Sequence, residues 1–241
     1  MLKANSEGVL YLLPVWLGDS GGVELLPPQN IFLAERVKLF FCENERTARR
    51  MLRRMSGTID LNGIELHLLN KDSTSEELSA MAALLGKQDA AILSEAGMPC
   101  IADPGARLVA EAHRRNVRVV PLTGPSSLLL ALAASGLNGQ RFAFHGYLPR
   151  DGAERKKAIK VLEQEARRTG GAQLFIETPY RNDVLLADLL ATCEGNTLLC
   201  IAIDLEQPGG STETRPVRAW RDRLPALGKR PCVFILGSSL P

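Results

Sequence analysis

What the chain lacks narrows its chemistry before any motif is read. Its five cysteines, at 42, 100, 193, 200 and 232, form no Cys-x-x-Cys pair, are odd in number and lack zinc-site spacing. Reduced thiols in a cytoplasm are the simplest reading. The three histidines, His67, His113 and His145, stand at no metal-ligand distance along the chain from one another or from a cysteine, so no metal is expected. There is no G-x-x-x-x-G-K-[ST], which excludes a P-loop nucleotide hydrolase. There is no G-x-G-x-x-G behind the first strand, so the usual dinucleotide fingerprint is absent. There is no G-x-S-x-G elbow, so a serine hydrolase has no positive support. No run approaches the ~20 apolar residues of a membrane span. The opening M-L-K-A-N-S-E-G lacks the apolar stretch of a signal peptide. These two absences, with the cysteine usage, lead to an expected cytoplasmic location away from membranes. A formal net charge of +2 rules out a chain-wide electrostatic grip on nucleic acid and leaves only a local patch.

What is present is ordinary in bulk. Hydrophobic residues make up 45% and charged ones 23%, as in a soluble globular protein. The 241 residues accommodate one large domain or two smaller ones. The most informative stretch is 91–105, A-I-L-S-E-A-G-M-P-C-I-A-D-P-G. A short apolar strand enters a loop holding two Gly and two Pro, and a helix starts near Pro104, where a missing N–H costs nothing. In open α/β sheets ligands bind beyond the carboxyl ends of strands, so this loop is either a site or simply a tight turn.

Along the chain, strand and helix patterns alternate. Runs at 9–15, 38–42, 64–69, 91–93 and 117–122 read as strands, the first apolar on both faces as parallel strands tend to be and the last all-apolar. Helical patterns lie between them at about 28–36, 47–55, 74–85 and 105–115. The third carries a capping box, Thr74 with Glu77. This β-α-β-α order predicts a parallel-rich sheet covered by helices. A helix at 128–135, apolar all round, reads as buried. The second half restarts with strands at 142–147, 173–176, 198–203 and 232–237, a possible edge strand at 212–218, and helices at 151–169 and 182–191. Short extended connections there imply some antiparallel pairing. The prediction is an α/β fold of two α/β domains, residues 1–122 with a parallel-rich sheet and residues 123–241 with a mixed sheet. Five strand-end loops, at 14–22, 94–105, 123–127, 177–181 and 204–207, suggest a cleft between the two. On the second helix Ala48, Met51, Leu52 and Met55 recur at helical spacing and should face the core. Arg46, Arg49, Arg50 and Arg53 lie roughly opposite, with Arg54 beside them. That basic face either contacts phosphate or is an ordinary solvated surface. His145 can line a cleft at its strand end, or be structural.

Four motifs then fall into a known order. S-E-A-G-M-P-C-I-A-D-P-G (94–105), T-G-P-S-S (123–127), F-H-G-Y-L-P (144–149) and E-T-P-Y-R (177–181) resemble the tetrapyrrole-methylase superfamily. They are most similar to its bacterial branch that 2′-O-methylates a cytidine ribose in small-subunit rRNA. There the first motif reads S-D-A-G-T-P-x-I-S-D-P-G and the others P-G-P-S, F-x-G-F-L-P and E-[ST]-P-H-R. The resemblance implies a cytoplasmic, homodimeric methyltransferase that binds S-adenosylmethionine between two domains and acts on rRNA or the small ribosomal subunit. By motif, Pro14, Val15, Ser94, Glu95, Gly97, Ser126, Ser127, Thr178, Pro179 and Ala202 would contact the cofactor. Arg46, Arg49, Arg50, Tyr180 and Arg181 would contact substrate. A ribose hydroxyl would benefit from a general base, for which Glu43, Glu45 and Asp204 are the candidates. The chain departs from the branch where Glu95 replaces Asp and A-T-P-I-G-N becomes L-P-V-W-L-G-D (13–19). Likewise E-D-T-R becomes E-N-E-R (43–46), R-E-L-T-K becomes I-D-L-E-Q (203–207), and P-H-R becomes P-Y-R. The C-terminal segment that many rRNA-methylating members carry is not in this sequence. These departures keep two alternatives open: methylation of a tetrapyrrole or other small molecule, and a non-catalytic protein that binds the cofactor.

Overall fold

A computed structural model describes residues 8–238. The chain divides into two compact units, one reaching Ser126 and the other beginning at Ser127.

The first unit holds five strands: β1 (Leu10–Leu13), β2 (Leu39–Cys42), β3 (Glu65–Leu68), β4 (Ala90–Leu93) and β5 (Val119–Pro121). They pair in the order β3-β2-β4-β1-β5, every neighbour parallel. Helices α1 (Pro28–Arg36), α2 (Glu45–Met55), α3 (Ser75–Ala82) and α4 (Gly105–Arg114) connect them. The central strands are apolar at every position because helices cover both faces. Alternate side chains divide between two cores. Phe40, Ala91 and Leu93 pack with Ala34 of α1 and with Ala48, Met51, Leu52 and Met55 of α2. Leu39, Phe41, Ala90 and Ile92 pack with Leu78 and Met81 of α3 and with Leu108 and Ala112 of α4.

The strand order decides where a ligand can enter. From β1 the chain passes to β2, beyond β4; from β4 it passes to β5, beyond β1. Connections therefore leave the adjacent pair β1/β4 in opposite directions. That reversal opens a crevice at the carboxyl ends of these two strands. Helix α2 starts two residues before the sequence pattern suggests, because the Asn44 side chain caps it by accepting from the Thr47 N–H at 3.0 Å. The capping box of α3 is present with both hydrogen bonds.

The second unit carries β6 (Phe142–Tyr147), β7 (Ala172–Ile176), β8 (Leu198–Ile203), β9 (Ser211–Pro216) and β10 (Cys232–Gly237). The order is β6-β7-β10-β8-β9, with β6/β7 parallel and the remaining pairs antiparallel. Four helices accompany it: α5 (Ser127–Ser135), α6 (Gly152–Thr169), α7 (Asn182–Thr192) and the short α8 (Val217–Asp222). The edge strand expected at 212–218 is β9, and its last residues turn into α8. The rings of Phe175 and Phe234 stack at 6.0 Å inside this core.

Helix α5 corrects the expectation of a helix buried all round. Leu128, Ala131, Leu132 and Ser135 face inward, whereas Leu129 is 54% and Leu130 38% exposed. A helix apolar at every position has no periodicity from which to read its buried side. The ring nitrogen Nε2 of His145 lies 2.7 Å from Oε1 of the buried Gln173 on the neighbouring strand, a structural contact.

Candidate functional site

Three loops interlock at the crevice of the parallel sheet. The loop after β1 is joined to the loop after β4 by an antiparallel bridge, in which the Val15 N–H donates to the Gly97 carbonyl at 3.0 Å. Gly97 has φ +68°, and a Cβ there would stand 2.8 Å from Leu17 Cδ2 and 3.2 Å from the Pro125 carbonyl oxygen. Only glycine satisfies both the left-handed backbone and the close approach. The loop after β5 seats on the first one just as tightly, since a Cβ on Gly124 would lie 2.3 Å from the Pro14 ring. Asn30 of α1 fixes that third loop by donating its Nδ2 to the Thr123 carbonyl at 2.9 Å. Its own Oδ1 is buried with no hydrogen-bond partner among the described residues. Pro14, Val15, Ser94, Gly97 and Ser126 thus come together, with the hydroxyl-bearing Ser94 and Ser126 both buried. Ser127 follows directly, half-buried, as the first residue of α5.

The motif string 94–105 separates into two jobs. Its first half forms the bridge. Its second half is shaped by Asp103, whose Oδ1 accepts from the N–H groups of Cys100 and Gly105, both at 2.8 Å. This clamp holds Cys100 (φ 68°) and Ala102 (φ 62°) in the left-handed region, where non-glycine residues store strain. Gly105 is required because a Cβ would meet Cys100 Sγ at 2.8 Å.

Acidic groups gather beside it. Glu43 ends β2, half-buried, lined on one side by Ser94 and Glu95 and on the other by Asp103, Pro104 and Gly105. Burial first, then the charges of Asp103 and Glu95, push its carboxyl up to about 7. Burial also raises Asp103, against its two backbone N–H donors. Glu45 is exposed at the first residue of α2.

The basic face of α2 is not uniform. Arg49 donates to the Leu61 carbonyl at 2.6 Å, which ties the helix to the following loop. Arg54 donates to the carbonyls of Gly21 (2.5 Å) and Asp19 (3.2 Å) and lies 4.6 Å over the Trp16 ring, holding loop 16–21 in place. Arg46 is exposed. Arg50 sits 3.8 Å from Asp19 and helps line a cavity of about 190 Å³ with Trp16, Gly18, Asp19, Thr47, Met51, Arg54 and Glu95. The clamps made by Arg54, Asp103 and Asn30 were not signalled by the sequence pattern; the Asp-Pro-Gly at a helix start was the one visible hint.

In the second unit, the E-T-P-Y-R segment forms a single 3-10 turn over Pro179–Arg181. Glu177 is buried. Its Oε1 accepts from the Thr178 N–H at 2.7 Å, and its Oε2 pairs with Arg181 at 2.7 Å, so the Arg181 guanidinium is engaged within its own loop. Thr178 is exposed, Pro179 half-buried and Tyr180 fully outward. Ala202 lies inside β8, in the core with Leu128, Ala131 and Val233, rather than at a strand end. Asp204 directly follows β8, with φ 48° and an ion pair to Arg230 at 3.6 Å.

A parallel sheet with Gly/Pro loops interlocked at its switch point, followed by a mixed sheet, is the architecture of one class of methyltransferases. Residues 20–204 match the family model of the tetrapyrrole (corrin/porphyrin) methylases, and the chain belongs to that family. It is 35% identical over 185 residues to the ribosomal RNA small subunit methyltransferase I of Micromonospora olivasterospora, covering 77% of this chain and 56% of that protein. It is 32% identical over 220 residues to the protein of the same name from Mesorhizobium japonicum, covering 91% of this chain and 71% of the relative. The chain therefore spans little more than half of the first relative's length. Among solved structures, that of the methyltransferase CobJ superposes with a TM-score of 0.62 at 17% identity, covering 96% of this chain and 95% of that one, which shows a shared fold.

Proposed function

We propose that this protein is an S-adenosylmethionine-dependent methyltransferase whose acceptor is the 2′-hydroxyl of a cytidine ribose in small-subunit rRNA. The interlock of Pro14–Val15, Ser94–Gly97 and Gly124–Ser126 at the switch point carries the methyl-donor half of this reading. The rRNA half rests on the names of the relatives and on the motif resemblance.

The residues present fit the cofactor. The buried Ser126, the carbonyl and N–H groups of Gly/Pro loops, and the orphaned Asn30 Oδ1 form a donor and acceptor set suited to an adenosine and an amino-acid end, while the Ser94 hydroxyl shapes its loop by donating to the Ala96 carbonyl. When bound, S-adenosylmethionine supplies a methyl group already activated on a positively charged sulfur, so neither a metal nor a covalent nucleophile is required. The chain's part is to align the acceptor, exclude water and take a proton. Glu43 suits the last task. Its carboxyl near 7 is poised to accept a proton from a hydroxyl, while Glu45 is solvated and Asp204 is held by Arg230. Arg46 and Arg50, the latter only loosely paired with Asp19 at 3.8 Å, are the arginines offered for phosphate, because Arg49 is bound to the Leu61 carbonyl and Arg181 to the buried Glu177. Among the described residues no helix is long and apolar enough to cross a membrane. A homodimer and a cytoplasmic location are part of the proposal, supported by the motif resemblance.

Calorimetry tests the donor half. The wild type binds S-adenosylmethionine, and Gly97→Val, which sets a branched side chain against Leu17 and the Pro125 carbonyl, lowers affinity at least about tenfold. Wild-type protein that binds none overturns the reading.

A further inference from the structure

The proposed methyl-donor site rests on the first unit's loops; the second unit carries a separate feature around Tyr180. Tyr180 is 77% exposed and Tyr147 56% exposed. Both stand at one end of the mixed sheet. Strands β6 and β7 run parallel with Tyr147 opposite Ile176, and the chain continues from Ile176 into the turn that carries Tyr180. Strand β10 runs antiparallel to β7 with Val233 opposite Ile176, so the preceding residues 229–231 arrive at the same end.

Tyr180 is held by its backbone and not by packing of its ring. The Arg181 N–H donates to the Thr178 carbonyl at 2.9 Å, and the buried Glu177–Arg181 pair at 2.7 Å locks the turn. The fully buried Asn182 donates its Nδ2 to the Arg230 carbonyl at 2.8 Å, stapling the 226–231 loop to that turn. This staple brings the Lys229 ammonium 5.1 Å from the Tyr180 ring centroid. Of the acids nearby, Glu177 is paired with Arg181 and Asp204 with Arg230, while Asp183 at the start of α7 is exposed to solvent. Lys229 has no carboxylate partner among the described residues, and its ammonium is therefore free to meet a phosphate.

A pre-positioned, solvated aromatic ring with one uncompensated cation beside it matches a single nucleotide. The ring offers a π-face to a base, and the ammonium offers a charge to a phosphate. We propose that Tyr180, Lys229 and Tyr147 form a stacking platform for an unpaired nucleobase of the RNA substrate. Unpaired bases are the form in which aromatic side chains can reach RNA bases. The proposal rests on the rRNA reading above. Its occupant is RNA; a protein partner is an outcome of the test.

The experiment combines RNA binding with two independent controls. Fluorescence anisotropy measures the affinity of the full chain for a single-stranded 12-nucleotide RNA and for a duplex of the same length. Calorimetry follows S-adenosylmethionine, and steady-state kinetics follow methyl transfer to undermethylated small ribosomal subunits. The expected result is preference for the single strand. Tyr180→Ala weakens binding by about five- to 100-fold, the range of one lost stacking contact, and Tyr180→Phe stays within about twofold. Lys229→Gln reduces the slope of affinity against salt by about one. In each variant cofactor affinity and melting temperature are unchanged, and Tyr180→Ala raises KM for subunits without lowering kcat. Tyr180→Ala that binds RNA as the wild type does, while wild type methylates subunits, overturns the platform and leaves the rRNA reading standing. Wild type that neither binds RNA nor methylates subunits, but binds cofactor, overturns both and turns the exposed rings toward a protein partner.

Discussion

At the residue scale, position within a motif does not reveal what each member does. In 94–105 the sequence marks one continuous string, but Gly97 makes a bridge to Val15 while Asp103 ties down Cys100 and Gly105. These are different physical roles, and only the hydrogen-bond partners separate them. Glu43 shows the same limit: as the residue after a strand it was one of three candidate bases, and the proposal for it rests on its burial and then on Asp103 and Glu95, which the fold brings beside it. The pH dependence follows. A base must be ionised, so the rate of methyl transfer should rise as pH increases through about 7. Glu43→Gln should lower kcat by about 100-fold or more and remove that limb, with cofactor affinity retained. The stability effect has the opposite sign. Folding raises this carboxyl, so the wild type loses stability as pH climbs from the unfolded value toward about 7, and Glu43→Gln should melt higher than wild type at pH 8. A rate profile unaltered by the substitution would remove Glu43 from the reaction.

At the scale of elements, amphipathic patterns carried most of the information. The apolar stripe of α2 (Ala48, Met51, Leu52, Met55) is buried as its spacing predicts. Its basic side was legible as a face but not as individual contacts, because backbone carbonyls of loops 16–21 and 56–64, invisible to periodicity, capture Arg54 and Arg49. Helix α5 marks the opposite failure, where uniform hydrophobicity hides the side that packs. The structure assigns Leu132 to the core and Leu129 to the surface. Leu132→Ala should therefore destabilise by about 2–5 kcal/mol in thermal or urea unfolding. Leu129→Ala should change stability by less than about 1 kcal/mol. Equal losses at the two positions would contradict the orientation of α5.

At the scale of the whole molecule, the alternation of strand and helix was enough to foresee a parallel-rich sheet followed by a mixed one, since continuous apolar strands demand cover on both faces. Strand order was not foreseeable. Placing β1 between β4 and β5 depends on which helices share a face, and that order creates the crevice in which the Gly/Pro loops meet. The proposed acceptor rests on the motifs and on the names of the relatives. The loops where this chain departs from its relatives, L-P-V-W-L-G-D and I-D-L-E-Q, are those whose contacts here are structural turns: Trp16 under Arg54, and Asp204 with Arg230.

The central claim is methyl transfer to small-subunit rRNA, and one measurement addresses it directly. The protein is incubated with S-adenosylmethionine labelled in its methyl group and with undermethylated small ribosomal subunits, and the RNA is digested to nucleosides. The account predicts label on a 2′-O-methylcytidine, abolished by Gly97→Val and strongly reduced by Glu43→Gln. Label confined to a base, to ribosomal protein or to a tetrapyrrole offered in parallel, with none on a cytidine ribose, would contradict it.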